Sequence, residues 1–515
     1  MSLLSRLMGL VFSKRMDQIR EFCRKPRQTQ KKQFRRLIER GTQTAFGLDH
    51  GFATIKTYSG FRRQVPVQDY DSLKTYINRA REGEESVLWP GKVKWFAKSS
   101  GTTNDQSKFI PVTDDGLKDA HMRGPKDVMT IVLHLFPDTK AYDGKLLTLG
   151  GSHKLDPLGS HAQSGDLSSI LIENTPMWAL TKRVPKPETA LIPDFEEKVR
   201  KICEETIDKR VTAFAGVPSW NLVMMNKILE ITGKNNLLEV WPDLSYFIHG
   251  GMNFEPYREQ YEKLIPSPDM RYMETYNASE GFFAIQDDPE TNDMLLMLDY
   301  GMFYEFLPLK FLDHPEKAIP LAQVKKGVNY ALIISNSNGL WRYMIGDTIE
   351  FTSLKPHKIR ITGRTKLYIN TFGEEIIIDN AEKAIHAASK ETGSTVQEYT
   401  AGPVYMSGRG KGAHEWLIEF SKEPDSLEKF AEILDKTLQE LNSDYQAKRS
   451  KDTTLYAPLV RSLPAGTFFK WMENRGKVGG QNKVPRLSND RKFIEALLKV
   501  AGIPNDVAEQ IGNGK

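Results

Sequence analysis

The chain has few cysteines and no long apolar run. Only Cys23 and Cys203 occur in 515 residues, which excludes a disulfide framework and a cysteine-rich zinc site and favours a reducing compartment, with the cytoplasm as the default. No stretch approaches about 18 uninterrupted apolar residues, so a membrane-spanning helix is not expected. The opening MSLLSRLMGLVF is short, contains Arg6 and lacks a convincing cleavage site, so we do not expect a signal peptide.

A strong charge of either sign is also lacking. The chain has 71 Lys and Arg against 66 Asp and Glu, and the net charge of +5 is too small at this length to imply nucleic acid. The excess is concentrated in residues 14–40, which hold 11 basic and 3 acidic side chains. We interpret this segment as the solvated face of an N-terminal helical hairpin, with a binding patch as the alternative.

Length and patterning predict an α/β protein of more than one domain. Residues 115–250 alternate amphipathic helices with apolar runs typical of strands, and residues 270–352 are mainly strand-like. We expect a large N-terminal α/β domain with a β-rich subdomain over 1–363, and a small α+β domain over 364–515. The segments predicted to be helical are 16–45, 195–210, 220–233, 378–391 and 425–442.

Several familiar catalytic patterns are missing. The chain has no P-loop, no persuasive Ser/His/Asp set and no His-Glu-x-x-His metal motif. Its ten histidines are scattered, and we expect most of them to be structural.

One loop offers groups that suit phosphate oxygens. Between two strand-like runs, residues 99–103 read SSGTT, and Lys108 follows five positions later. Glycine lets the backbone approach a ligand, and the hydroxyl and N–H groups donate hydrogen bonds. An ordinary surface turn is the alternative for this segment taken alone.

Two later segments carry an aromatic ring and carboxylates at strand ends. Tyr276 lies four residues before Glu280, so a ring that can stack on a purine precedes a carboxylate that can hold Mg²⁺. Asp347 ends a strand in Gly-Asp, where it can accept both ribose hydroxyls. A solvated Glu in a turn and a turn-capping Asp are the respective alternatives.

In this order the three segments resemble the phosphate loop, the aromatic-x-x-Ser/Thr-Glu turn and the Tyr-Arg-x-Gly-Asp-like loop of the adenylate-forming superfamily, which includes the acyl-CoA synthetases and luciferases. The whole chain resembles the Gretchen Hagen auxin-responsive family of acyl acid amido synthetases, as a bacterial-type member. The similar segments are AFGLDHGF (45–52), WFAKSSGTT, HGGMNFEPY (249–257), TYNASEGFF (275–283), LWRYMIGD (340–347) and QNKVPRLS (481–488).

The resemblance implies a role for each matching residue. Glu280 is expected to hold Mg²⁺, Asp347 to bind the ribose, and Lys483, arriving with the C-terminal domain, to meet the α-phosphate and the carboxylate. Lys366 lies in the segment that resembles the superfamily's hinge. The ATP and AMP contacts are expected from Ser99, Ser100, Gly101, Thr102, Thr103, Lys108, Gly250, Gly251, Met252, Tyr276, Ser279, Asp347 and Arg364. The acyl pocket is placed at Met122, Arg123, Phe214, Val217, Trp220 and His249, on segments that flank it in relatives.

The chain departs from the family pattern at two positions. Asn104 replaces the glycine that continues the superfamily loop, which reshapes the loop tip. Met344 stands where plant members have an arginine that binds phosphate or ribose, and Arg342 is the nearest possible substitute.

The resemblance implies a cytoplasmic, monomeric ligase that uses ATP and Mg²⁺ to convert a carboxylic acid into an acyl-adenylate and passes the acyl group to an amine, usually an amino acid. No nucleic-acid partner is expected. Two alternatives stay open: a thioester-forming acyl-CoA ligase, and a non-catalytic homologue that binds adenylate or nucleic acid. The sequence identifies neither the acid nor the amine.

Overall fold

The computed structural model describes most of the chain. The described residues are 3–99, 108–149, 155–159, 161–192, 195–251, 254, 257–365, 368–369, 374, 376–404, 412–442, 445–446, 449, 455–475, 484–488 and 490–505. Within these ranges, only the backbone is described for residues 3–11, 99, 178, 195–196, 219–220, 223 and 368.

The described chain divides into two compact units. The first comprises the described residues up to Ile345 together with Ile349–Ile361. The second comprises Gly346–Thr348 and the described residues from Thr362 onward. A short piece of the first unit's largest sheet, Gly346–Thr348, therefore belongs to the second unit.

The first unit begins with two helices, α1 (Leu3–Arg24) and α2 (Pro26–Gly41). The helical prediction for 16–45 is largely confirmed, since α1 and α2 cover 16–24 and 26–41 of that segment. The two helices are separated at Lys25, because the ring of Pro26 suits the first position of a helix and lacks an N–H. Phe34, Leu37 and Ile38 form the buried face of α2. The described helices that follow in this unit are α3 (Ala45–Asp49), α4 (Tyr58–Gln64), α5 (Tyr70–Arg81), α6 (Asp114–Gly116), α7 (Arg123–Leu135), α8 (Leu167–Glu173), α9 (Met177–Leu180), α10 (Pro187–Ala190), α11 (Phe195–Thr206), α12 (Pro218–Thr232) and α13 (Arg258–Leu264).

A four-stranded sheet carries the expected phosphate loop. Strands β1 (Trp95–Ser99) and β2 (Lys108–Val112) pair antiparallel, from Trp95↔Val112 to Ser99↔Lys108. Residues 100–107 therefore connect the two strands of a hairpin. The other strands are β4 (Asp156–Leu158) and β5 (Ala162–Gly165), in the order β2-β1-β5-β4.

A twelve-stranded sheet forms the centre of the fold, in the order β13-β12-β14-β15-β16-β11-β10-β9-β8-β7-β3-β6. The five strands at the β6 end of this order run parallel. On one face of them, α11, α12 and α13 pack over a core that includes Phe214, Phe247 and Tyr261. The strands are β3 (Lys145–Thr148), β6 (Arg183–Val184), β7 (Val211–Gly216), β8 (Tyr246–Gly250), β9 (Arg271–Ala278), β10 (Gly281–Gln286), β11 (Met294–Leu296), β12 (Met302–Pro308), β13 (Ile319–Pro320), β14 (Asn329–Asn336), β15 (Tyr343–Leu354) and β16 (His357–Arg364).

The second unit is an α+β arrangement. Strands β19 (Thr395–Val404) and β20 (Ala413–Lys422) pair antiparallel, and β21 (Leu459–Leu463) adds to β20 in parallel. A separate pair is formed by β17 (Tyr368–Ile369) and β18 (Ile376–Ile377). The described helices are α14 (Ile378–Thr392), α15 (Leu427–Leu441), α16 (Thr467–Asn474) and α17 (Lys492–Ala501).

Candidate functional site

The parallel strands bring several predicted residues to one edge of the large sheet. β7, β8 and β9 end close together, and their register pairs Gly216 with His249 and His249 with Glu274. Ligands of open α/β sheets bind outside the carboxyl ends of parallel strands. The predicted nucleotide segments that follow β8 and β9 therefore lie at the edge where such a ligand is expected.

Gly250 ends β8 and Gly251 follows it, and a side chain at either position would disturb the backbone. A Cβ on Gly250 would lie 2.4 Å from the carbonyl oxygen of Thr275, and Gly251 has a φ of 81°. Both positions therefore favour glycine, the first for close approach and the second for its left-handed conformation. Met252, predicted beside them, lies outside the described residues.

Ser279 and Glu280 form the turn between β9 and β10. Ala278 pairs with Gly281, so these two residues are the whole connection. The carbonyl of Glu280 accepts hydrogen bonds from the side chains of Asn336 at 2.8 Å and Asn338 at 3.3 Å. The sequence analysis missed both amides, although the run SNSNG that contains them is visible as a polar interruption between strands.

Tyr276, the predicted stacking residue, precedes this turn on β9. Its side chain is buried, and its ring lies 4.7 Å from the ring of Phe283, centroid to centroid. Lys108 lies at the other predicted element, where β2 begins opposite Ser99. Its ammonium is 5.8 Å from the ring centroid of Tyr70, which keeps the lysine at the base of the hairpin loop.

Asp347 and Arg364 lie side by side in the second unit. Arg364 Nε donates to Asp347 Oδ1 at 2.9 Å, and the side chains are 40% and 17% exposed for Arg364 and Asp347 respectively. The backbone is fixed beside them, because Thr365 N donates to Gly346 O at 2.8 Å. Gly346 and Asp347 lie within β15, so the prediction that a strand ends at this Gly-Asp was wrong. A carboxylate on β15 and a cation at the end of β16 are thus available together.

Arg342 does not substitute for the family arginine that Met344 replaces. Its side chain is 2% exposed and is paired with Glu305 at 2.8 Å. It also donates from Nη1 to Val65 O at 2.7 Å. A guanidinium enclosed in this way is held by the protein interior, so the suggestion that Arg342 supplies the missing phosphate cation was wrong.

The predicted acyl-pocket residues fall into two groups. Met122 and Arg123 lie at the start of α7, and Arg123 pairs with Asp299 at 2.9 Å. Phe214 is fully buried and stacks on Phe247 at 4.3 Å, while Val217 is the half-buried N-cap of α12. The structure describes no side chain for Trp220.

His249 is enclosed at the end of β8. Its ring stacks on Phe254 at 4.4 Å, and Nδ1 has no hydrogen-bond partner among the residues that the structure describes. Burial lowers the pKa of His249 to about 3, and the positive charge of Arg258 acts in the same direction. The imidazole is therefore neutral near pH 7, and it can offer a hydrogen bond but not a positive charge.

For Ser99 the structure describes only the backbone, which ends β1 opposite Lys108. The remaining predicted residues lie outside the described ranges, and they are Ser100, Gly101, Thr102, Thr103, Lys366 and Lys483.

Glu280 is compatible with the Mg²⁺ site that the resemblance implies. In the described part of the chain, no group of three or more His, Cys, Asp or Glu side chains could cage a metal ion. Mg²⁺ at nucleotide sites is usually held by one or two carboxylates together with phosphates and water. A single carboxylate on the β9–β10 turn meets that requirement.

Two solved structures have a similar fold. The GH3.15 acyl acid amido synthetase matches with a TM-score of 0.75 at 16% identity, over 92% of this chain and 93% of that chain. The 2-hydroxyisobutyryl-CoA ligase in its postadenylation state matches with a TM-score of 0.55 at 13% identity, over 92% and 88%. The fold is therefore that of the adenylate-forming ligases, which confirms the predicted fold class.

Three domains of one family match in chain order. They are the GH3 family N-terminal domain over residues 15–270, the central domain over 295–364 and the C-terminal domain over 379–492. The chain therefore belongs to the GH3 family. GH3 stands for Gretchen Hagen 3, so the family predicted from the sequence is confirmed.

Curated relatives match along nearly the whole chain. The indole-3-acetic acid-amido synthetase GH3.3 of Arabidopsis thaliana is 23% identical, over 93% of this chain and 92% of its own length. The jasmonoyl–L-amino acid synthetase JAR6 of Nicotiana attenuata is 22% identical, over 83% and 85%.

Proposed function

We propose that this protein is an acyl acid amido synthetase, which activates a carboxylic acid with ATP and joins it to an amine, with an amino acid as the expected acceptor. The observation that carries the proposal is the ordered match to all three GH3 domains across the chain. The names of the relatives support it, since GH3.3 is an amido synthetase and JAR6 a synthetase of an L-amino acid conjugate.

The reaction needs activation because a carboxylate has no good leaving group. A carboxylate oxygen attacks the α-phosphorus of ATP, pyrophosphate leaves, and an acyl-adenylate forms. The neutral amine then attacks the acyl carbon and AMP leaves with the former carboxylate oxygen. Positioning and stabilisation of developing charge account for catalysis of this kind, so no nucleophilic side chain is required.

Different predicted residues would bind different parts of ATP. Ser99, Ser100, Gly101, Thr102, Thr103 and Lys108 would bind the phosphates from the β1–β2 hairpin. Asp347 would hold the ribose, with Arg364 beside it, and Lys483 would stabilise charge on the α-phosphate and carboxylate. The adenine would lie against Gly250, Gly251, Met252, Tyr276 and Ser279.

Glu280 is the residue that would hold Mg²⁺. When bound, the ion would neutralise charge on the phosphate oxygens. The protein's own part is to hold the turn that carries the carboxylate, and the side-chain amides of Asn336 and Asn338 do so by donating to the backbone carbonyl of Glu280.

We further propose that residues 1–363 and 364–515 act as separate domains, with a pivot at Arg364 and Lys366. The two half-reactions need different surroundings, since the anhydride must be protected from water and the amine must then be admitted. Met122, Arg123, Phe214, Val217, Trp220 and His249 remain our candidates for the acyl pocket. We also propose that the protein acts as a monomer in the cytoplasm.

A pyrophosphate-release screen tests the proposed function. The full chain is incubated with ATP, Mg²⁺ and a panel of carboxylic acids, alone, with pooled amino acids and with coenzyme A. Acid-dependent pyrophosphate release and an amide product are expected. A thioester would favour the acyl-CoA ligase alternative, whose fold is also similar, and no release with any acid would contradict the proposal.

A matched pair of variants links activity to the site. Glu280→Gln is expected to lower adenylation at least about tenfold, because a carboxylate that stabilises phosphate charge is lost. Glu290→Gln removes an exposed carboxylate from the β10–β11 connection and is the control. Equal activity in both variants would remove Glu280 from the mechanism.

A further inference from the structure

The loop between β14 and β15 contains polar side chains that the core encloses. Asn336, Ser337 and Asn338 are all buried, and we call residues 336–339 the asparagine loop. Burying a polar group costs free energy unless the group is hydrogen-bonded, so each of these side chains needs a partner. Those partners show which parts of the first unit the loop holds in place.

On one side, the asparagine loop holds the turn between β9 and β10. Asn338 Nδ2 donates to the carbonyl of Glu280 at 3.3 Å, beside the bond from Asn336 at 2.8 Å. Asn336 makes the shorter of the two bonds, so the turn does not depend on Asn338 alone. The amide of Asn338 nevertheless lies directly beside the turn that carries the candidate Mg²⁺ carboxylate.

On the other side, the asparagine loop holds the start of α6. Thr113 N donates to Asn338 Oδ1 at 3.0 Å, and Thr113 Oγ1 donates to the carbonyl of Ser337 at 2.6 Å. Thr113 is the N-cap of α6, and its Oγ1 also accepts from Gly116 N at 2.9 Å. A Cβ on Gly116 would lie 1.7 Å from Asn338 Oδ1, so only glycine fits between the helix and the loop.

The helical turn after α6 leads to the acyl-pocket candidates. Residues 117–121 form a π-helical turn, in which Met122 N donates to Leu117 O at 2.8 Å. Asp119 in this turn accepts from Ser337 Oγ at 2.8 Å, so the asparagine loop holds the turn as well. Turns of this kind are rare in proteins and are frequent at functional sites. The turn ends at Met122, one of the acyl-pocket candidates, and α7 starts at the next residue.

The start of α7 also lies against β10. A Cβ on Gly124 would lie 2.2 Å from Cδ2 of Phe282, so the helix and the strand meet without room for a side chain. Phe282 is two residues beyond Glu280. We call residues 113–124 the acyl-pocket segment. This segment and the β9–β10 turn are therefore neighbours, and the side chain of Asn338 is hydrogen-bonded to both of them.

We propose that Asn338 is a positioning residue that holds the acyl-pocket segment against the β9–β10 turn, so that nucleotide bound with Mg²⁺ at the turn orders the segment that receives the carboxylic acid. The inference rests on the proposed function, which assigns Mg²⁺ to Glu280 and the acid to Met122 and Arg123. A primary amide suits this task because its oxygen accepts from the Thr113 cap while its nitrogen donates to the Glu280 carbonyl. The two bonds come from one planar group, so a displacement of either partner moves the other.

Hydrogen–deuterium exchange of the full chain, with and without Mg²⁺ and α,β-methylene-ATP, tests this role. In the parent, the bound analogue should slow exchange at the turn, residues 278–282, and by at least about fivefold in residues 117–124 of the acyl-pocket segment. Asn338→Ala removes both bonds of the amide, while Asn336 still holds the turn. The analogue should therefore still slow exchange in 278–282 and should no longer slow it in 117–124.

A second variant reaches the same contact from the helix. Gly116→Ala should give the same result as Asn338→Ala, because the new Cβ takes the space of Asn338 Oδ1. Asn174→Ala is the matched control, since the side chain of Asn174 donates to Ile170 O of α8 at 2.8 Å. The control should behave as the parent does in both stretches of the chain.

Slowed exchange in 117–124 that persists in either test variant would overturn the inference, because the nucleotide then acts on that stretch without Asn338. Loss of the effect in both stretches would also overturn it, since the loop would then serve nucleotide binding itself. Binding of the analogue to the parent with no change in 117–124 would overturn the inference and leave the proposed function standing. No binding of the analogue to the parent would overturn the proposed function, and this inference with it.

Discussion

Arg342 and Glu305 form an ion pair from which water is almost wholly excluded, with side chains 2% and 1% exposed. The guanidinium makes a fork on the carboxylate, with Nε and Nη2 both donating to it. Tyr58 adds a hydroxyl donor at 2.8 Å. Arg342 has a φ of 47°, which is uncommon for a residue with a side chain, so its surroundings must hold both its backbone and its charge.

Arg342→Met is expected to destabilise the first unit by about 3–5 kcal/mol, because Glu305 would be left buried without its counter-charge. Urea unfolding followed by tryptophan fluorescence measures the loss. Adding Glu305→Gln should restore part of it, since the uncompensated charge is then removed. A single variant as stable as the parent would show that the pair contributes little.

Asp347→Ala should weaken nucleotide binding by about 1–3 kcal/mol if two charge-assisted hydrogen bonds to the ribose are lost. Calorimetric titration with a non-hydrolysable ATP analogue measures the effect. Asp269→Ala, at an exposed position in the first unit, is the control. An unchanged dissociation constant in the Asp347 variant would exclude the ribose role.

At the level of elements, the β9–β10 turn depends on a neighbouring loop. Asn336 ends β14, and its side chain donates to Glu280 O while accepting from Asn338 N at 3.0 Å. One amide therefore fixes both its own loop and the turn that carries Ser279 and Glu280. The position of the site follows from contacts between strands that are distant in sequence.

Asn336→Ala should lower the rate of adenylation more than it lowers stability, because it releases a turn that is expected to contact ATP. Comparing pyrophosphate exchange with the melting temperature separates the two effects. Thr352→Ala, on β15, provides a second polar truncation on a sheet strand away from the turn. The role would be refuted if both variants lost activity in proportion to stability.

The sequence predicted elements well where the pattern is local. Helix 378–391 was observed as Ile378–Thr392 and helix 425–442 as Leu427–Leu441, because apolar periodicity and a Ser426 cap mark them directly. Glycine at 250 and the Gly-Asp at 347 were recognised from composition and resemblance. The partners of Arg342 and of Glu280 could not be predicted, since they come from residues 37 and 56 positions away.

For the whole molecule, buried neutral histidines tie stability to pH. Burial lowers the pKa of His121 to about 4 and that of His249 to about 3, against about 6.5 for an exposed histidine. Between these pKa values the unfolded chain therefore binds protons that the folded chain does not bind. The contribution of these neutral rings to the free energy of unfolding is fully present above about pH 6.5, and it decreases as the pH falls towards the pKa values of the folded state.

Burial also lowers the pKa of His357 to about 4. The expected loss at pH 5 is about 2 kcal/mol for each of the three histidines. Urea midpoints measured between pH 7.5 and pH 5 should therefore fall, and His121→Asn should flatten that dependence by roughly a third. A midpoint that does not change over this range would show that these rings accept protons while the protein is folded.

Lys366→Pro tests the proposed pivot, because proline fixes φ and removes an N–H where rotation is required. Pyrophosphate exchange reports adenylate formation, and amide formation from a supplied acyl-adenylate reports transfer. The two rates should be affected very unequally. Equal loss of both in a folded variant would argue that 361–376 is a rigid connection.

If Asp347 binds the ribose as proposed, its contact with Arg364 links nucleotide binding to chain geometry. Arg364 Nε donates to Oδ1 of Asp347, and a carboxylate can accept further donors, so ribose hydroxyls would bind beside Arg364. Any backbone torsion that withdraws Arg364 would then lower the affinity for nucleotide, and bound nucleotide must oppose that torsion by the same factor, because coupling between two equilibria is reciprocal. Release of AMP would accordingly free the backbone at Arg364 to rotate.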